Sequence, residues 1–127
     1  MNQHAPVPVD PTLMEPIGLY LEGVRTGSGE LLAKAFAPNA TITSSIHSTT
    51  ETISLPEFID FVKELKTQHA NLEETHGKTS VLVDKSVATI YVPFNLKMGS
   101  SVAAGIDVFA LAKGTDGWRI VHKLYSM

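Results

Sequence analysis

Five histidines, thirteen acidic groups, three tyrosines and no cysteine make up the reactive inventory of this 127-residue chain. Without a thiol there is no disulfide, no thiolate zinc or iron–sulfur site and no cysteine nucleophile. His4, His47, His69, His76 and His122 are scattered rather than clustered at ligand spacing. Glu73-x-x-His76 occurs once, ahead of a strand pattern, whereas di-iron centres need the motif twice on helices with further carboxylates. No metal and no cofactor are expected. Any chemistry must rest on hydroxyls, carboxylates and an imidazole. Asp107 is the one charge inside the apolar run Val102–Ala112. On a strand it shares a face with Gly105, Phe109 and Leu111, so desolvation is expected to raise its pKa. A carboxylate bonded to backbone or to a second subunit would read the same way. Gly99-Ser100-Ser101 is a turn without the strand–loop–helix context of a phosphate loop.

The elements that carry these groups follow from periodicity. Leu13, Ile17, Tyr20, Leu21 and Val24 recur at three and four residues, one face of a helix over about Thr12–Arg25. Thr12-x-x-Glu15 reads as its capping box, and Pro16 falls in the first turn. Gly27 suits a left-handed C-cap, and Ser28 can cap a second helix over about Gly29–Ala37, which Pro38-Asn39 ends. Ala40–Ile46 reads as a short strand, and Ser54-Leu55-Pro56-Glu57 opens a third helix with Leu55, Phe58, Ile59, Val62 and Leu65 on one stripe. From His69 the period changes to two. Strands are expected near Leu72–Asp84, Ser86–Lys97, Ser101–Lys113 and Gly117–Tyr125. His122 follows Trp118 by four residues and so should share its face. As a base, a histidine competes with the commoner surface or satisfied structural role, and His47, His76 and His122 are all open to either.

Ten basic against thirteen acidic residues argue against a nucleic-acid binder held by phosphate contacts. No stretch approaches the ~20 apolar residues that span a bilayer, and no signal-type leader is visible, so no membrane partner and a cytoplasmic location are expected. Pro6, Pro8 and Pro11 make residues 1–11 an extended or disordered lead-in to a single domain over 12–127. Both alternating faces of Val102–Ala112 are largely apolar, Asp107 excepted. One must meet the helices, and the other needs a cover, most simply a second copy of the chain. A helix or tail folded over that face is the alternative.

Tyr20-Leu21-Glu22-Gly23-Val24-Arg25-Thr26-Gly27, then Leu31-Leu32…Phe36-Ala37-Pro38-Asn39-Ala40-Thr41-Ile42, resembles the opening of nuclear transport factor 2-like proteins. Asp107-Val108-Phe109-Ala110-Leu111-Ala112-Lys113…Gly117-Trp118-Arg119-Ile120-Val121-His122-Lys123 resembles the closing hairpin of their putative lumazine-binding branch. The resemblance implies an α+β fold in which three N-terminal helices pack in the concave face of a strongly curved, mainly antiparallel sheet, a cone-shaped barrel with a pocket. Many members dimerise through the outer sheet face. Members include ketosteroid isomerases, polyketide cyclases, dehydratases, epoxide hydrolases and proteins that only bind, so the fold leaves activity open.

Tyr20, sixteen residues before Phe36, resembles in placement the catalytic tyrosine of ketosteroid isomerases, where a phenol and a protonated aspartic acid stabilise an enolate oxygen. Asp107 would be the second partner, displaced by about two residues from the isomerase pattern on the same face. The position of the general base is Ser44, which cannot shuttle a carbon-bound proton without a base beside it. Two functions follow. One is a homodimeric small-molecule-binding domain whose apolar pocket holds a small apolar or aromatic ligand through Tyr20, Ser44, Tyr91 and Asp107. The other is a metal-free acid–base enzyme of isomerase, cyclase or dehydratase type on a carbonyl-bearing molecule, with Tyr20, Asp107 and a histidine such as His122 as catalytic candidates. A pure protein-partner module would need the pocket filled by side chains.

Overall fold

The computed structural model describes residues 10–127, so His4 and most of the expected lead-in lie outside the described residues. A 3-10 turn (Pro11–Met14) leads into α1 (Glu15–Thr26) and α2 (Gly29–Ala35). Then come β1 (Phe36–Ile46), β2 (Thr49–Ser54), α3 (Leu55–Gln68), β3 (Glu73–His76), β4 (Ser80–Asp84), β5 (Val87–Met98), β6 (Ser101–Gly114) and β7 (Gly117–Ser126).

Local chemistry sets the helix ends. Asp10, rather than Thr12, caps the first turn: its Oδ1 accepts the Thr12 N–H at 2.9 Å, and Pro11 opens the turn. Gly27 closes α1 at φ +67°, and Ser28 Oγ accepts the Leu31 N–H at 3.1 Å to start α2. Ser54 and Glu57 form both halves of the capping box of α3. That helix buries Leu55, Phe58 and Val62, each contributing about 1.5–3 kcal/mol.

The seven strands run in the order β2-β1-β7-β6-β5-β3, with β4 also on β5. Among the described strands, only β1 and β7 pair in parallel. The sheet is curved and unclosed, and its inner face (Ile90 and Val92 of β5, Phe109 and Leu111 of β6, Ile120 of β7) packs on Ile17, Tyr20 and Val24 of α1, Leu32 of α2 and Phe58 of α3. Gly105 of β6 pairs with Phe94 of β5. A Cβ there would strike the Phe94 ring and the Ser126 carbonyl oxygen, so glycine is what lets that ring lie across β6.

Three elements differ from the sequence-based expectation. α2 ends at Ala35, because Phe36 already pairs with β7, and a register irregularity between Phe36 and Thr41 takes up Pro38-Asn39. β2 was not expected: its turn, His47-Ser48, reaches φ +50° and +64° without a glycine, and its strand is mostly exposed. The single strand expected over Leu72–Asp84 is two, β3 and β4, both on one edge of β5. The gap falls opposite Pro93, which has no N–H to donate; the Gly77 N–H reaches its carbonyl at 2.8 Å instead.

The helices occupy the concave side. Across the outer face runs the row Tyr91, Val108 and Leu124 on β5, β6 and β7. No described element covers this face, where Leu82 is 77% and Val102 65% exposed.

Candidate functional site

Four charged or ionisable side chains meet under α1 because of strand alternation. Leu72 is buried, and the period of two then brings Glu74 and His76 of β3 to the inner side while Glu73 and Thr75 stay exposed. Asp107 sits in mid-β6, fully buried. Lys123 arrives by a different route. The β6–β7 register shifts so that Ile120 pairs with Leu111 but His122 with Ala110, leaving Val121 as an extra residue. This bulge reverses the alternation. Trp118 and Ile120 point inward before it, Lys123 and Tyr125 after it. His122 therefore does not share the face of Trp118: it lies on the outer side, with Nδ1 2.8 Å from Thr41 Oγ1.

The groups form a chain. Tyr20 Oη donates to Glu74 Oε1 at 2.6 Å, and His76 Nε2 donates to Glu74 Oε2 at 2.8 Å. The same nitrogen lies 3.3 Å from Asp107 Oδ2, and Lys123 Nζ lies 3.1 Å from Asp107 Oδ1. Neither Asp107 oxygen receives a well-aligned hydrogen bond, so these two contacts are ionic in character. The Lys123 ammonium also stands over the Tyr125 ring, 3.7 Å from its centroid. Tyr20 is edge-on to Phe109 and stacked with His76, at centroid separations of 5.3 and 6.3 Å.

Burial and mutual charge divide the protons among them. Burial, helped by the charge of Glu74, keeps the Tyr20 phenol neutral well above its ordinary range. Burial pushes Glu74 from 4.5 to about 7; the Asp107 carboxylate adds to the rise, and His76 and Lys123 oppose it. Burial pulls His76 down, but Asp107 and Glu74 outweigh it and hold the imidazolium to about 9. The raised Asp107 pKa expected from desolvation does not result. Burial does push it up, yet His76 and Lys123 more than offset that, and Asp107 stays below its ordinary value. The pair thus titrates as a unit, with Asp107 ionised and Glu74 exchanging the proton.

A stability profile follows. The unfolded chain releases the Glu74 proton at 4.5 and the folded one at about 7, so stability falls as pH rises between them. The contribution of His76 is complete below 6.5 and is lost as pH rises through about 9. Both act in one direction, so urea unfolding is expected to be most difficult near pH 5 and to lose on the order of a few kcal/mol by pH 9. A urea midpoint that climbs steadily from acid to alkaline pH contradicts the assigned shifts.

Beside this cluster lies a cavity of about 190 Å³. Its wall is apolar (Phe58, Leu65, Leu72, Phe94, Leu96 and Met98), and Tyr20, Glu74, Lys123 and Tyr125 supply its polar groups. Glu74 also borders an open groove on the other side of β3, together with His76, Gly18, Leu21 and Arg25. One carboxylate thus touches both the cavity and, through His76, the outer surface. Glu74, His76 and Asp107 each offer a donor atom within 4.8 Å of the others and are the residues that could hold a metal. Two positive groups already sit there, so a cation would have to displace the His76 proton and the Lys123 ammonium.

Of the site residues expected from sequence, the structure brings Tyr20 and Asp107 into one cluster, linked through Glu74 and His76. Ser44 faces inward but lines a separate recess with Glu51, Phe61 and Tyr125. Tyr91 is 49% exposed on the outer face, because Ala88, Ile90, Val92 and Phe94 take the inward positions of β5. It is not a handle of the cavity. Glu74 and Lys123 were missed. The alternation Leu72-x-Glu74-x-His76 carried a signal for the first; nothing in the sequence marks the bulge that turns Lys123 inward.

A family model described as putative lumazine-binding matches residues 9–126. No curated protein matches the sequence. Among solved structures, a putative ketosteroid isomerase from Shewanella frigidimarina NCIMB 400 is 18% identical with a TM-score of 0.73, over 96% of this chain and all (100%) of that one. An NTF2-like protein of unknown function from Silicibacter pomeroyi DSS-3 is 18% identical with a TM-score of 0.71, over 90% of this chain and 91% of that one. An NTF2-like protein with a cystatin-like fold from Novosphingobium aromaticivorans is 15% identical with a TM-score of 0.71, over 89% of this chain and 77% of that one. At these identities the likeness carries the fold alone. The match over 9–126 and the curved sheet wrapped around three helices lead to one conclusion: the chain belongs to the putative lumazine-binding family, on the nuclear transport factor 2-like fold.

Proposed function

We propose that this protein is a metal-free acid–base enzyme acting on a small carbonyl-bearing molecule in the inner cavity, with Glu74 as the proton-transfer group. One observation carries the reading: Glu74 lines an apolar cavity while bonded to Tyr20 and His76, and burial holds it at about 7. A group poised there is both a competent base and a competent acid at neutral pH. The base that Ser44 could not supply comes from β3.

The steps balance within the cluster. Ionised Glu74 takes a proton from the carbon next to the carbonyl; the C–H bond breaks, an O–H bond forms on Glu74, and the electron pair moves to the carbonyl oxygen. The Lys123 ammonium faces the cavity and stabilises the resulting enolate. Once Glu74 is protonated it no longer needs the Tyr20 proton, which frees that hydroxyl for the same oxygen. Returning the proton to the far carbon of an adjacent C=C double bond, which shifts as the enolate's electron pair returns through it, isomerises the substrate. His76, at the outer groove, re-equilibrates Glu74 with solvent. The reading is tested with acetophenone in D₂O, following loss of its methyl proton signal by NMR. Exchange above the buffer rate is expected, and a rate equal to buffer overturns it.

The outer sheet face supports the second half of the proposal, a homodimer. Tyr91, Val108 and Leu124 form an apolar row with Val87 and Val102 exposed around it. Sedimentation is expected to give a dimer at micromolar concentration, and Val108→Glu, central in that row, a folded monomer. A wild-type monomer under those conditions removes the dimer from the account.

A further inference from the structure

The cavity limits what the site can take, and the inference below rests on reading that cavity as the ligand site. Its volume is about 190 Å³. An apolar void of about 150 Å³ accepts benzene, whereas drug-sized ligands occupy about 300–1,000 Å³. One ring with a short substituent fills that space; a fused-ring skeleton would have to project past it through the mouth beside the exposed Phe61 and Met127, leaving apolar surface in water. Chemistry is equally one-sided. Helix α3 gives the wall Phe58, Phe61, Val62 and Leu65, none of them titratable, while Tyr20 of α1, Glu74 of β3, and Lys123 and Tyr125 of β7 supply the polar groups.

Lys123 is the charged donor that faces the cavity; the Tyr125 hydroxyl is turned towards Ser44. The Tyr20 proton is committed to Glu74. An ammonium has three protons; Lys123 Nζ lies 3.1 Å from Asp107 Oδ1 and 3.7 Å from the Tyr125 ring centroid but gives neither Asp107 oxygen an aligned hydrogen bond, so it keeps a proton for a ligand oxygen in the cavity it lines. Because that charge is already compensated by Asp107, it matches a neutral oxygen acceptor without calling for a second anion.

We propose that the cavity takes a neutral, single-ring aromatic molecule bearing one carbonyl or phenolic oxygen, with the ring between Phe58, Leu72 and Leu96 and the oxygen on Lys123, and that it selects such a molecule over fused-ring compounds.

The test compares acetophenone, 2-acetylnaphthalene and progesterone by backbone amide NMR shifts of the full chain. Acetophenone is expected to give saturable shifts centred on Leu72 and Leu96, 2-acetylnaphthalene to bind at least about tenfold more weakly, and progesterone to give none. Leu96 is half-buried, so Leu96→Ala should fold, enlarge the cavity and admit the naphthyl ketone. Leu65→Phe, also at a half-buried position, should fill the cavity and weaken acetophenone at least about tenfold. Progesterone binding as tightly as acetophenone, an unchanged order in Leu96→Ala, or no shift with any probe overturns the proposal. Its failure is separable from that of the acid–base reading. Acetophenone bound without proton exchange leaves the ligand class standing and removes the chemistry, whereas exchange of the naphthyl ketone in preference to acetophenone does the reverse.

Discussion

Replacing Lys123 by methionine is expected to cost about 3–5 kcal/mol of folding stability at neutral pH, measured by urea unfolding. Lys123 is only 3% exposed, and its ammonium is 3.1 Å from a fully buried carboxylate. Methionine keeps the length and the contact with Tyr125 but removes the charge. Asp107 then has only the His76 imidazolium at 3.3 Å, shared with Glu74, as a positive partner, and Glu74 as a donor only while it is protonated. The loss arises from the uncompensated carboxylate rather than from packing, so a second change should recover it. Lys123→Met with Asp107→Leu is expected to regain most of the stability, since a buried ion pair and an apolar pair of similar volume are often equivalent. A single-variant loss below about 1 kcal/mol means that Asp107 is solvated, and the electrostatic account fails.

The second large effect falls on rate. Glu74→Gln preserves shape and can still accept from Tyr20, but it cannot take a proton. Removing a positioned general base typically costs about 10²–10⁴-fold, and acetophenone exchange should fall by that factor. The fold should survive, because glutamine removes the carboxylate that burial disfavours, and the decline of stability between pH 4.5 and about 7 should flatten in the same variant. Tyr20→Phe is expected to slow exchange less, since Lys123 still meets the oxygen. Exchange in Glu74→Gln equal to wild type transfers the base to another group.

The sequence and the structure part company at identifiable residues. Asp107 was legible because a charge inside an apolar strand is unusual, and Tyr20 because helical spacing placed it on the inward face. The capping of α2 and α3 was equally plain, since Ser28, Ser54 and Glu57 act within one turn of their own positions. Glu74 was readable in principle, two residues from buried Leu72 on an expected strand, but a glutamate on a short edge strand carries no local sign that it is buried. Lys123 and His122 were exchanged between faces by one extra residue at Val121, a register event that depends on pairing with β6 and leaves no local mark. The direction of the Asp107 shift was misjudged for the same reason. Desolvation could be argued from its own strand, while the two cations that reverse it come from β3 and β7, distant in sequence and adjacent only once the sheet forms.

The acid–base reading depends on the proton held by Glu74. The direct measurement is a pH titration of the side-chain carboxyl ¹³C signal of Glu74 in protein labelled at glutamate, assigned by its loss in Glu74→Gln. The account predicts a midpoint near 7, with Tyr20 and His76 responding at the same pH. A midpoint at the ordinary 4.5 would contradict it, since a carboxylate already ionised there is a weak base at neutral pH and the cavity would have no group poised to move a proton.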